Sequence, residues 1–158
     1  NLLIKRAAII KGAAQKTELA KNVLQEKFIE GDRWLVYCQD QAQMARVKEE
    51  LKSAKYPILD YHQAMEGDAN RTLEFFTREG GVMLAIKCLD EGVDIPSARI
   101  GIILASSGNV KEFIQRRGRL MRPFKDKEKA VIFDFCVLPE NPADHYSGQK
   151  GAKHQKRT

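Results

Sequence analysis

The apolar positions of the chain fall into five short runs, which contain a charged side chain only at Asp60 and Asp134 and are separated by longer mixed stretches. The runs are residues 34–38, 58–61, 82–86, 100–105 and 130–135. A solidly apolar run of this length, without alternation of polar side chains, is typical of a strand that is covered on both faces. We therefore predict five buried strands.

The stretches between the first three runs show helical spacing of their apolar residues, and so does the stretch before them. The predicted helices are residues 17–28, 41–54 and 67–79. Thr17 is placed to begin the first, and Gly80 with Gly81 ends the third. In the second helix, the residues expected to face the core are Ala42, Ala45, Val47 and Leu51.

Strands that alternate with helices over short connections are typical of an α/β fold, with a mostly parallel sheet and helices on both faces. We divide the chain into a helical lead-in (residues 1–30), the α/β lobe (31–138) and a basic flexible tail or linker (139–158). The absence of a starting methionine suggests that this is a piece of a longer chain.

Composition changes this picture little. Of 158 residues, 43% are hydrophobic and 30% charged, as in soluble globular proteins. Cys38, Cys88 and Cys136 form no Cys-x-x-Cys pair, so we expect neither a disulfide framework nor a metal site, and a reducing cytoplasm. No apolar run approaches the ~20 residues that a membrane span needs, so no membrane partner is predicted.

Charge is concentrated in one place. The net charge is +6, and residues 111–129 hold eight basic and three acidic side chains. Within them lies the arginine segment, residues 115–122, with the sequence Gln-Arg-Arg-Gly-Arg-Leu-Met-Arg. On a helical wheel Gln115, Arg119 and Arg122 share one side. The opposite side, which would face the core, carries Val110, Phe113, Ile114, Leu120 and Met121.

Arginine binds phosphate oxygens well through its planar, permanently charged guanidinium. Taken alone, however, the arginine segment could equally be a solvated basic face. Gly118 and Pro123 also leave open that residues 119–122 form a turn instead of a helix. A second stretch, the loop after the third strand, carries Gly92 and Asp94, and Asp94 could accept hydrogen bonds from a ribose. By itself this loop could be a simple turn.

Taken together, residues 85–96 and the arginine segment resemble motifs V and VI of superfamily 2 helicases. The segment matches the pattern Gln-Arg-x-Gly-Arg-x-x-Arg at every fixed position. The resemblance covers roughly residues 33–135 and implies the second, C-terminal RecA-like lobe of a P-loop-NTPase-type motor. The chain is most similar to DEAD/DEAH-like DNA helicases and translocases of the repair and restriction type.

The resemblance implies roles for individual residues. Arg119 and Arg122 match the arginine fingers that reach the γ-phosphate of ATP, and Gln115 matches the residue beside the attacking water. Arg116 matches a residue that holds the two lobes together. Gly92 and Asp94 match positions near the ribose and the cleft.

Nucleic-acid contacts are implied at Lys87, in the motif V loop, and less strongly at His62 and Arg71. The spacing from His62 to Arg71 is about one residue longer than in the family. His62 could also be an ordinary loop residue. Position 86 is isoleucine where many relatives carry a threonine on the nucleic acid, which weakens the match at that contact.

Two motifs of the family are missing from the sequence. There is no Gly-x-x-x-x-Gly-Lys-[Ser/Thr] phosphate loop, and no Asp-Glu metal motif after a suitable strand. We therefore expect ATP and Mg²⁺ to be held mainly by an N-terminal RecA-like lobe of the same chain. The other expected partner is nucleic acid, and we expect DNA. Alone, these residues should be inactive.

The first hypothesis is thus the second motor lobe of an ATP-dependent helicase or translocase. The alternative is a catalytically incomplete module that docks nucleic acid or protein. A different doubly wound nucleotide-binding enzyme is disfavoured because the sequence has no glycine-rich phosphate loop.

Overall fold

A computed structural model describes residues 14–65, 67–86, 95, 97–104, 114, 117–118, 120–124, 127 and 129–135. These residues contain helices α1 (Ala14–Lys27), α2 (Gln41–Glu50) and α3 (Ala69–Glu79). The strands are β1 (Arg33–Cys38), β2 (Ile58–Tyr61), β3 (Gly81–Ile86), β4 (Ile100–Ile103) and β5 (Val131–Asp134). Residues 114, 117, 118 and 120 are also helical.

The five strands form one sheet in the order β2-β3-β1-β4-β5, and every neighbouring pair is parallel. Strand β1 is central, with Trp34 level with Val82 of β3 and Ile100 of β4. All five predicted strands and the α/β class are confirmed. No helix in the described ranges is long and apolar enough to cross a bilayer.

Two apolar clusters cover the two faces of the sheet, and β1 supplies both. Trp34 and Val36 belong to the first cluster, together with residues of α1 and α2. Leu35 and Tyr37 belong to the second, with Phe76 of α3. Because alternate side chains of a strand point to opposite faces, a strand buried on both sides must be apolar throughout.

Helix α2 buries only part of the side that was predicted. Val47 and Leu51 are buried as expected, but Ala42 and Ala45 are exposed, and Gln43 and Met44 are buried instead. The helix begins at a cap, where the Asp40 side chain accepts a hydrogen bond from the backbone N–H of Gln43 at 2.8 Å. Met44 faces the sheet because it has more apolar surface to bury than an alanine.

The predicted helix starts were also imprecise. Thr17 does not begin α1, because it is buried inside a helix that already includes Ala14. Helix α3 begins at Ala69 and not at Gly67, since Asp68 caps it by accepting from the N–H of Asn70. Its end was predicted correctly: Gly80 follows the last helical residue with a φ of 78°.

Gly80 brings α3 close to the turn that precedes β1. A β-carbon at Gly80 would lie 2.7 Å from the backbone oxygens of Gly31 and Asp32. The N–H of Gly81 donates to the Asp32 oxygen at 2.7 Å, so this approach leads directly into β3. Two features therefore exclude a side chain at Gly80, the positive φ and the close backbone.

Cys38, the last residue of β1, is a buried thiol. Burial, together with the nearby carboxylates of Asp40 and Asp60, raises its pKa from the ordinary value of 9.0 to about 12. The thiol is therefore neutral at physiological pH in the folded state, and a neutral thiol is a poor nucleophile. Cys88 and Cys136 lie outside the described residues.

We expect Gly80→Ala to destabilise the protein more than Gly67→Ala. Gly67 also has a positive φ, 102°, but nothing lies within 4 Å of its added β-carbon. Both substitutions incur backbone strain of about 1–3 kcal/mol, and only Gly80→Ala adds a backbone clash. Urea denaturation measures the free energy of unfolding, and equal losses in the two variants would contradict the close approach.

Stability should also depend on Cys38 at alkaline pH. The thiol loses its proton near pH 9 in the unfolded chain and only near pH 12 in the folded one. The stabilisation is thus complete below pH 9 and falls between pH 9 and 12 by about 1.4 kcal/mol per pH unit at most. We expect the fall to be shallower in Cys38→Ala when unfolding is measured at pH 8 and pH 10.5. Parallel curves would show that Cys38 does not contribute.

Candidate functional site

The parallel strands all end on the same side of the sheet, here called the carboxyl end. The chain leaves β1 towards β2 on one side and leaves β4 towards β5 on the other, although β1 and β4 are neighbours. Such a reversal opens a crevice at the carboxyl end of the strands, where α/β proteins bind their ligands. The loops that follow the strands are therefore the candidate positions for ligand-binding residues.

The loop after β1 is held in one conformation by Asp40 and Gln43. Gln43 is completely buried, and its side-chain oxygen accepts a hydrogen bond from the N–H of Gln39 at 2.7 Å. Together with the Asp40 cap, this resembles a capping box, in which two side chains satisfy backbone donors at a helix start. Sequence analysis missed this arrangement, although the spacing Asp-x-x-Gln is its known signal.

His62 and Arg71 lie near the carboxyl end of β2. His62 directly follows β2, is half-buried, and accepts a backbone hydrogen bond from Met65 at 3.0 Å. Helix α3 runs back from this end of the sheet, which brings its first turn, with Arg71, to the same end. The Arg71 side chain is 87% exposed, and its Nε lies 3.8 Å from an oxygen of Asp68. An exposed pair at this distance holds the guanidinium only weakly.

In the arginine segment, the contact with the sheet is made by Leu120. Leu120 is completely buried and belongs to the second apolar cluster. It lies over Gly101 of β4 so closely that a β-carbon there would be 2.2 Å from Cδ1 of Leu120. Arg122 follows in a bend before Pro123 and is exposed.

The predicted apolar side of the segment was wrong for two residues. Ile114 is 61% exposed and Met121 is 66% exposed. Helical geometry ends at Leu120 and Met121 lies in a turn, so a helical wheel no longer describes its direction. The gap above Gly101 accommodates one side chain, and Leu120 fills it.

A second contact joins the segment to β5. Nη2 of Arg117 donates to Oδ2 of Asp134, the last residue of β5, at 3.1 Å. The side chain of Asp134 is only 16% exposed, and that of Arg117 is 38% exposed. The sequence indicated no partner for Arg117, because the pair is formed by residues on separate elements.

Lys16 is a further residue that sequence analysis missed. It is 2% exposed, and its ammonium group donates to the backbone oxygen of Leu104 at 3.2 Å, just beyond β4. A lysine on an amphipathic helix is normally expected to face solvent, so no sequence signal marks it. The contact joins the start of α1 to the carboxyl end of the sheet.

Several predicted site residues lie outside the described residues. They are Lys87, Gly92, Asp94, Gln115, Arg116 and Arg119, as are Val110 and Phe113 of the predicted apolar side.

The two described regions of interest are well separated. His62 and Arg71 lie by β2 at one side of the sheet, while Arg117 and Leu120 contact β4 and β5 at the other. Four interstrand spacings separate β2 from β5, which corresponds to about 19 Å. Among the described residues, His62 and Arg71 therefore do not share a site with Arg117 and Leu120.

Two cavities lie elsewhere on the surface. One, of about 460 Å³, is at the amino end of the sheet, lined by residues that include Phe28, Tyr56 and Phe75. The other, of about 450 Å³, lies beside Met121 and Val131, with Lys127 and Lys129 in its wall. Only the second adjoins the arginine segment.

Comparison with known proteins identifies a family. Residues 15–123 match the family described as helicase conserved C-terminal domain. Over 117 residues the chain is 30% identical to DNA 3'-5' translocase XPB2 of Sulfurisphaera tokodaii, covering 74% of this chain and 25% of the translocase. Over 64 residues it is 42% identical to Dicer-like protein 2 of Phaeosphaeria nodorum, covering 39% of this chain and 4% of that protein. The chain thus spans a quarter or less of these relatives.

Solved structures share the fold. The C-terminal domain of the DEAD-box protein Dbp5 aligns with a TM-score of 0.61 at 20% identity, covering 87% of this chain and 78% of that domain. The Pyrococcus furiosus Hef helicase domain aligns with a TM-score of 0.56 at 21% identity, covering 85% of this chain and 28% of that one. The family match extends over more than half of the chain and includes the whole arginine segment. The chain therefore belongs to the helicase conserved C-terminal domain family and is a RecA-like C-terminal lobe of the superfamily 2 helicases and translocases.

Proposed function

We propose that this chain is the second motor lobe of an ATP-dependent superfamily 2 translocase or helicase that acts on DNA. The observation that carries the proposal is the exposed Arg122, which follows directly from a turn held against the sheet by Leu120, in a chain of the helicase C-terminal family. An exposed arginine beside a rigid support suits contact with a phosphate from outside the lobe.

In this proposal ATP binds between this lobe and an N-terminal RecA-like lobe. Arg119 and Arg122 contact the γ-phosphate when the lobes close and stabilise the charge that develops during phosphoryl transfer. Gln115 orients the attacking water, and Arg116 pairs with acidic groups of the first lobe. Gly92 and Asp94 line the ribose side of the cleft.

Magnesium is assigned to the first lobe. Within the described ranges, no three His, Cys, Asp or Glu side chains come close enough together to hold a metal ion. Arg122, Lys127 and Lys129 are cationic groups, which suit phosphate oxygens and not a metal. Magnesium bound to the first lobe would shield the charge of the phosphates. Closure of the two lobes would bring the arginines of this lobe to the same phosphates.

The nucleic acid is proposed to bind at the carboxyl end of the sheet, where His62, Arg71 and Lys87 contact its backbone. The separation of about 19 Å between β2 and β5 supports two distinct binding regions, so that ATP and nucleic acid can be held at the same time. DNA is preferred because the Sulfurisphaera tokodaii relative is a DNA translocase. The related fold of Mss116p domain 2, solved with an RNA duplex, makes RNA the competing outcome of the test.

We expect Arg122→Ala in the complete protein to lower kcat for ATP hydrolysis by about 10³-fold or more, while ATP binding stays nearly unchanged. Steady-state hydrolysis with and without DNA or RNA, together with binding of a fluorescent nucleotide, measures both quantities. The matched control is Arg46→Ala, because Arg46 is also exposed but lies on helix α2, which packs against the opposite face of the sheet from Leu120.

Parallel loss of binding and turnover in Arg122→Ala would contradict a role in the transition state. Absence of hydrolysis by the unaltered protein under every condition would instead favour the module that only docks nucleic acid or protein. Stimulation by RNA and not by DNA would overturn the choice of DNA.

Arg71→Ala should weaken DNA binding at every sequence and reduce the slope of log affinity against log salt by about one. Arg78→Ala is the matched control, since Arg78 is an exposed arginine on the same helix α3 but near its other end, at the amino end of the sheet. Fluorescence anisotropy at several salt concentrations measures the slope. If both variants lose the same affinity, the effect is one of net charge and Arg71 is not a specific contact.

A further inference from the structure

We propose that the ion pair between Arg117 and Asp134 positions the arginine segment for catalysis. In the motif pattern Gln-Arg-x-Gly-Arg-x-x-Arg, Arg117 occupies a variable position, so the family match assigns it no role. The inference rests on the proposed function, because the pair acts through Arg119 and Arg122. Arg117 and Asp134 are positioning residues and contact neither ATP nor nucleic acid.

The segment is held at two points on two adjacent strands. Leu120 contacts Gly101 near the start of β4, and Arg117 contacts Asp134 at the end of β5. One helical turn joins these points, since the N–H of Met121 donates to the oxygen of Arg117 at 3.0 Å. A single apolar contact would let the turn rotate about Leu120. A second, directional contact at Arg117 removes that freedom.

The energetics suit a directional contact. The Asp134 side chain is 16% exposed, so its charge is largely shielded from water and depends on a partner. A hydrogen bond between two charged groups is shorter, stronger and more directional than a neutral one. By contrast, the pair of Lys48 and Asp60, with side chains 48% and 30% exposed, lies nearer to solvent.

The sequence spacing connects the two contacts to the proposed arginine fingers. Arg119 lies between Arg117 and Leu120, and Arg122 lies two residues beyond Leu120. A rotation of the turn would therefore displace Arg122. Misplacement of a reacting or stabilising group by about 1 Å can lower the rate 100-fold. Loss of the pair should thus lower turnover, although no group that contacts ATP has changed.

The test uses the complete protein and the variants Arg117→Ala, Asp134→Asn and the two combined. We expect each single variant to lower kcat for ATP hydrolysis by about 10- to 100-fold, with KM for ATP changed less than about twofold. The double variant should be no worse than either single one, because the pair acts as a unit. The matched control is Asp60→Asn, which removes a carboxylate of β2 that forms an ion pair with Lys48 of α2. Its kcat should stay within about twofold of the wild type.

A purely structural role would give a different result. Thermal unfolding and binding of a fluorescent ATP analogue are measured for every variant. Three outcomes would each overturn the inference. ATP binding could weaken in step with turnover, the effects of the two single variants could add in the double variant, or Asp60→Asn could lower kcat as much as Asp134→Asn does.

The inference and the proposed function fail separately. If Arg122→Ala retains wild-type turnover, the proposed function fails, and the inference falls with it. If Arg122→Ala abolishes turnover while Asp134→Asn retains the wild-type kcat, the motor lobe stands and only the positioning role is overturned.

Discussion

The burial of both faces of β1 is the constraint on which the rest of this structure depends. Trp34 and Val36 pack against helices on one face of the sheet, and Leu35 and Tyr37 pack against a helix on the other. Helices α1 and α2 lie on the first face and α3 on the second. Once the central strand is enclosed in this way, its neighbours must be parallel, because each connection passes over a face. The carboxyl end of the sheet then receives the turn after β2 and the first turn of α3, which carry His62 and Arg71.

Sequence reasoning succeeded where the signal was local and repeated. All five strands followed from solid apolar runs, and the end of α3 followed from Gly80. It failed in part for the buried side of α2, where Gln43 and Met44 replace Ala42 and Ala45. Periodicity alone cannot give that phase, because the helix carries few strongly apolar residues.

The candidate site also has one part that the sequence predicts and one part that it does not. The motif itself was readable, because fixed spacings survive in the sequence. The contacts that support it, Arg117 with Asp134 and Lys16 with Leu104, join residues 17 and 88 positions apart. Nothing along the chain marks such partners, since the charge of each residue is compatible with exposure to water. Lys16 shows the point most clearly, as an amphipathic pattern would place it outside.

The contact between Gly101 and Leu120 has a consequence for the family as a whole. The volume above this position of β4 is shared by one strand residue and one residue of the arginine segment. A methyl group gained at the first must be offset by a smaller side chain at the second, or the segment is displaced from the sheet. Across related lobes, the sizes of the residues at these two positions should therefore vary inversely, so that a buried strand and a surface motif evolve as a pair.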